Sequence, residues 1–135
     1  MKILLAFLLL IPFLASSQNK LSVSVEGVKT SNGRISVAVY NRSEGFLKFD
    51  QVFKADSIKA QKGITHIEIE DLPEGEYALA IFHDENGNDQ LDTNWLGIPK
   101  ESVGFSRGHM KTFGPPSFKE CVLKIKGDSQ IRITL

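Results

Sequence analysis

A chain of 135 residues with 41% apolar side chains fits one compact domain and leaves no room for a second core. Its 16 basic and 16 acidic residues balance with no basic stripe, which argues against electrostatic capture of nucleic acid. The single cysteine, Cys121, excludes an intramolecular disulfide.

In chain order, Lys2 precedes an apolar run from Ile3 to Leu14 that is too short to span a bilayer comfortably and is placed like the h-region of a secretory signal. Ala15, Ser16 and Ser17 supply the small residues of a cut before Gln18. The expectation is a signal peptide over residues 1–17 and one exported domain over 18–135, in the periplasm, the cell envelope or outside the cell. An uncleaved anchor helix is the alternative. Nothing later is long enough to span a membrane.

The remainder is a succession of strand patterns. Leu21 to Val25 alternates strictly, and Asn32-Gly33 then signals a hairpin to a strand over Arg34 to Tyr40, with Ile35, Val37 and Val39 on one face and Ala38 and Tyr40 on the other. Phe46, Phe49 and Phe53 recur at helical spacing, which predicts a short helical plug for one end of the domain. A weak strand around Asp56 to Ala60 is followed by the alternation of Ile64 to Glu70, with Ile67 and Ile69 inward and His66 solvated. Asp71-Leu72-Pro73-Glu74-Gly75 is a turn into Glu76 to His83, the most apolar strand after the leader, with Tyr77, Leu79, Ile81 and His83 on its inward face. Residues 93–119 form a long stretch without sustained alternation, rich in Gly, Pro and aromatics, which a compact domain rarely keeps idle. Cys121 to Lys126 and Gln130 to Leu135 read as two final strands of a hairpin, with Cys121 a small buried residue. The fold class is therefore all-β: about seven strands in an antiparallel Greek-key sandwich, with a short helical or irregular insert and one long loop.

The most informative stretch is His83 to Asn94, where oxygen-bearing side chains recur at alternate positions directly after the apolar strand. Asp84, Asn86, Asn88 and Asp92 stand at offsets 1, 3, 5 and 9 of a calcium loop, and Gln90 at offset 7 can supply its carbonyl. These five are the candidate Ca²⁺ ligands, with a water-facing Asn-Gly reversal as the competing account. Offset 12 holds Trp95 where a bidentate Glu is usual, so the expected affinity is weak.

The turn Leu72-Pro73-Glu74-Gly75-Glu76-Tyr77, the acidic loop, Gly97-Ile98-Pro99-Lys100-Glu101, Gly104-Phe105-Ser106 and Phe113-Gly114-Pro115-Pro116-Ser117-Phe118 together resemble the bacterial family called domain of unknown function 2141. The resemblance covers nearly all of the chain after the leader and implies an exported β-sandwich of the immunoglobulin-like or prealbumin-like kind. It adds almost nothing on function. At offset 6, where calcium loops favour Gly, this chain has Asp89.

Gly104-Phe105-Ser106-Arg107-Gly108 fits the G-x-S-x-G pattern of a hydrolase nucleophile elbow, but its flanks are Gly/Pro loop rather than a strand and a helix. His66, His83 and His109 lack zinc-ligand spacing; His83 is instead placed to orient the calcium loop. Trp95, Lys100, Phe105, Arg107 and His109 are candidates for contacts to a glycan or envelope peptide, the competing account being that the loop's aromatic rings only seal the sandwich. The reading is a non-enzymatic, calcium-stabilised envelope module that binds or organises; a small envelope hydrolase with its site in residues 93–119 is the alternative.

Overall fold

The computed structural model describes residues 18–135, so the leader expected over 1–17 lies outside the described residues. Among the described residues there are eight strands, β1 Asn19–Val28, β2 Arg34–Tyr40, β3 Lys54–Lys59, β4 Gly63–Leu72, β5 Gly75–Asp84, β6 Val103–Phe105, β7 Leu123–Ile125 and β8 Ser129–Thr134, and one short helix, α1 Phe118–Cys121. No helix among them is long and apolar enough to cross a membrane.

Period-2 alternation puts one apolar row of each strand inward, and these rows decide the layering. Leu21, Val23 and Val25 of β1, Ile67 and Ile69 of β4 and Ile133 of β8 come from a three-stranded sheet ordered β4-β1-β8. They share one core with Ile35, Val37 and Val39 of β2 and Tyr77, Leu79 and Ile81 of β5, which belong to a second sheet ordered β3-β2-β5-β6. β7 adds to the same edge of β5 as β6, the two pairings separated by Ala78 and Leu79. The result is a two-layer β-sandwich. The pairs are antiparallel except one, since β8 runs parallel to β1.

Two local expectations fail here for one reason: neighbours in sequence enter different sheets. The Asn32-Gly33 turn does not close a hairpin, because β1 pairs with β4 and β8 whereas β2 pairs with β3 and β5. The final two strands are likewise not a hairpin, since β7 lies on β5 and β8 on β1. Cys121 ends α1 rather than starting a strand. Ser117 caps that helix in a capping box with Glu120. Cys121 is fully buried as expected, and burial together with Glu120 pushes its thiol up to about 11, so it is protonated at neutral pH.

The turn between β4 and β5 also crosses between the sheets, and Tyr77 locks it by donating its hydroxyl to the Pro73 carbonyl (2.7 Å). The expected helical plug is reduced to a 3-10 turn at Phe49–Gln51. Its three aromatics do not share a face: Phe46 stacks edge-on against Tyr40 and Phe118, Phe53 packs on Tyr77, and Phe49 is exposed.

Candidate functional site

β5 carries Asp84 to the rim of the sandwich as its last residue. The carboxylate is 0% exposed, and its oxygens accept the backbone N–H groups of Asn88 (3.2 Å) and Asp89 (2.8 Å). The chain therefore winds around Asp84 as a central acceptor. Asn88 N–H is shared with Asn86 Oδ1 (3.2 Å), and the N–H of Gln90 donates to Asn88 Oδ1 (3.0 Å). From the far side, Asp92 accepts the amide groups of Asn86 (2.6 Å) and Asn88 (2.9 Å), which hold its carboxyl below the usual value, the Asn88 bond most of all. Asp89 at offset 6 stands at φ 60°, so it adopts the left-handed backbone that Gly would supply there.

Glu101 is the member that the loop spacing did not reveal. Asn94 Oδ1 accepts the N–H groups of Leu96 (2.9 Å) and Ile98 (3.0 Å), folding residues 94–98 into a tight reversal. Lys100 N–H then reaches the Asp92 carbonyl (2.8 Å), and Glu101 Oε2 accepts Asp92 N–H (3.2 Å). Burial raises the Glu101 carboxyl above its usual value and the charges of Asp92 and Asp84 push the same way, against backbone hydrogen bonds from Asp92 and Glu85. The sequence signal was Asn94-x-x-Gly97, an Asx-type reversal that returns the chain to the loop it has just left.

A calcium ion fits this donor set by type: three carboxylates and two amide oxygens around one rim. Among the described residues no three Asp, Glu, His or Cys side chains are gathered closely enough to hold a metal by themselves. A cation here would depend on the Asn86 and Asn88 carbonyl oxygens. Their NH₂ groups now face Asp92, and a half-turn of each amide would present oxygen instead, giving up the backbone N–H bonds from Asn88 and Gln90 that these oxygens accept.

His83 lies on the inward face, 1% exposed, and its Nε2–H donates to the Asn32 carbonyl (2.7 Å), leaving Nδ1 bare and 3.7 Å from Glu85. It ties the β1–β2 crossing to the start of the acidic loop. His66 is exposed beside Ser24, and His109 is exposed.

Residues 93–119 fold across the outer face of the five-stranded sheet, where Phe105 and Cys121 with Ala78 form a second core against Phe46 and Phe118. These rings seal. Trp95 at 90% and Phe113 at 101% exposure do not. Of the five residues proposed for ligand contacts, Phe105 is buried at 9% exposure, Trp95, Lys100 and His109 are exposed, and Arg107 is exposed with its guanidinium donating to the Val122 carbonyl (3.1 Å). Of the five, only Phe105 borders a cavity of about 520 Å³ on this face.

Ser106 is 1% exposed and its hydroxyl is committed twice: it donates to the Cys121 carbonyl (2.6 Å) and accepts Leu79 N–H (2.8 Å). Its own N–H donates to the Leu79 carbonyl (3.0 Å). It thereby bridges the gap on the edge of β5 between β6 and β7. A Cβ at Gly104 would stand 2.7 Å from Ile133 and one at Gly108 2.8 Å from Cys121. All three fixed positions of the G-x-S-x-G pattern thus have packing reasons, and a nucleophile's free, activated hydroxyl is not among them.

A bacterial family described as "Uncharacterized protein conserved in bacteria (DUF2141)" matches residues 23–133. No curated protein and no solved structure matches the chain.

Proposed function

The chain belongs to the DUF2141 family, and from that footing we propose that it is a non-enzymatic, exported binding module of the cell envelope whose loop 84–101 is held by one calcium ion. The observation that supports this is the Asp84 carboxylate: wholly buried, bonded by two backbone N–H groups and close enough to Glu101 for their charges to repel, with Asp92 acting on Glu101 in the same way. Burying carboxylates beside one another is costly unless a cation offsets them. Glu101 supplies the carboxylate missing at offset 12. The apolar run Ile3 to Leu14 supports export.

Affinity in the extracellular range, about 10⁻⁴ to 10⁻³ M, is expected. Calcium at ten times its dissociation constant should stabilise folding by about 1.4 kcal/mol. For a domain of this size that is a rise in melting temperature of about 3 to 6 °C. Magnesium, which sheds water reluctantly, should do much less. The test is thermal melting of metal-stripped protein with Ca²⁺, Mg²⁺ or neither, on wild type, Asp84→Asn and Asp92→Ala. Equal calcium responses in all three proteins would overturn the site.

Glu101→Gln gives a result of opposite sign in the two states. In metal-free protein the raised Glu101 carboxyl binds its proton more tightly folded than unfolded, so stability is lost as pH rises from 4.5 through the raised folded pKa. Above that window the neutral isostere removes the penalty. At neutral pH metal-free Glu101→Gln should therefore melt higher than wild type while its calcium response shrinks. An unchanged calcium response would remove Glu101 from the ligand set.

A further inference from the structure

Along the outer face of β2 and β5, Ala38 sits directly across from Ala80 and Tyr40 across from Ala78. Methyl groups on adjacent central strands leave a trough where larger side chains would fill the space. Leu47 and Phe49 wall it on one side, and the segments 96–99 and 110–115 wall it on the other, enclosing a cavity of about 520 Å³. That volume lies within the range of about 300 to 1,000 Å³ typical of small-molecule sites. A second hollow of about 450 Å³ continues from it across Ala38, Phe49 and Phe82. The walls are unusually apolar for a surface: Phe49, Leu96, Ile98, Met110 and Phe113 are all exposed.

Two polar features narrow the occupant. Tyr40 borders the cavity, is 3% exposed, and its hydroxyl makes no hydrogen bond among the described residues, although Phe46 fixes its ring at a centroid distance of 5.2 Å. Among the described residues the only fully buried side-chain polar atom without a partner is His83 Nδ1, so the Tyr40 hydroxyl is open to water or to the polar group of a ligand. The one charged residue bordering the larger cavity is Lys111, and Glu120 already neutralises it. Within the larger cavity a carboxylate ligand would find no free cation and a cationic ligand no free carboxylate; the aspartates Asp56 and Asp89 border only the adjoining hollow. An extended peptide would bring an N–H and a C=O per residue to walls with few groups to receive them.

We infer that this trough binds an uncharged amphiphile, a lipid-like chain or ring with one hydroxyl or carbonyl group, its apolar body on the Ala38 and Ala80 floor and its polar group on the Tyr40 hydroxyl. This rests on the reading of the chain as a binding module, of which it names the ligand class, and it is independent of calcium.

The experiment is a fluorescence titration of the purified protein with diphenylhexatriene, a pure hydrocarbon probe, followed by competition with decan-1-ol and with decanoate. Wild type should bind the probe and release it to decanol at lower concentration than to decanoate. Tyr40→Phe should keep probe binding and weaken decanol competition about fivefold to tenfold, the worth of one hydrogen bond. Ala38→Leu should abolish probe binding while its circular dichroism stays that of wild type. No probe binding by folded wild type, probe binding retained in Ala38→Leu, decanoate competing as well as decanol, or equal decanol competition in wild type and Tyr40→Phe would each overturn the inference. Running each titration with excess Ca²⁺ and with chelator separates this result from the melting test, since failure of the calcium site leaves the chelator arm readable.

Discussion

Replacing Gly33 with alanine is expected to cost about 2 to 5 kcal/mol. Gly33 stands at φ 67°, a conformation that carries a penalty of about 1 to 2 kcal/mol for an L-residue with a Cβ. The new Cβ would fall 1.9 Å from the Asp84 carbonyl oxygen and 2.8 Å from the backbone of Glu85. Both obstacles are backbone at the end of β5, so neither can swing aside, and displacing a packed segment adds about 1 to 3 kcal/mol. The melting temperature should fall on the order of 15 °C. Because the atom in the way belongs to Asp84, calcium-induced stabilisation should shrink in parallel. Denaturant unfolding at fixed pH, with and without calcium, reads both effects. A loss under about 1 kcal/mol would show that the β1–β2 crossing can move away from the acidic loop, contrary to the close approach described above.

Ser106→Ala is expected to cost about 2 to 4 kcal/mol, since it removes two hydrogen bonds and strands a buried donor and a buried acceptor. Leu79 N–H lies in the middle of β5, where neither β6 nor β7 reaches it, and no water-facing route relieves it. Ser106→Cys should recover little, because sulfur is a weak acceptor and a weak donor. Urea unfolding of the three proteins would measure the series. If the Ala variant were as stable as wild type, the bridge between β6 and β7 would lose its assigned role, and the hydroxyl would be open to a chemical one.

Residues 104–108 and 84–92 differ in what their spacing answers to. At residues 104–108 the spacing of Gly and Ser fits a nucleophile elbow, yet each residue answers a separate packing demand from a distant part of the chain: β8 at Gly104, β5 at Ser106, α1 at Gly108. The flanks read from sequence already counted against an elbow, but they did not reveal these packing demands. At residues 84–92, by contrast, the donors are successive alternate residues of one loop, so their convergence around Asp84 and Asp92 is a short-range property. Glu101 escaped because it joins the loop through a reversal whose end point depends on where residues 94–98 come to rest.

What the amino-acid sequence determined by itself is whatever depends on period-2 alternation and neighbouring residues: the inward rows of β1, β2, β4 and β5, the burial of His83 and Cys121, the turn at Pro73, and the oxygen ladder from Asp84 to Asp92. Only the tertiary structure decided which edges meet. Alternation says which face of a strand is apolar but not which strand lies beside it, so Asn32-Gly33 and Gly127 to Ser129 could be read as hairpins until their strands entered opposite sheets. The same rule governs the site. Ala38, Tyr40 and Ala80 are unremarkable in sequence, and they border a cavity because register brings β2 and β5 together under a loop some sixty residues away from β2.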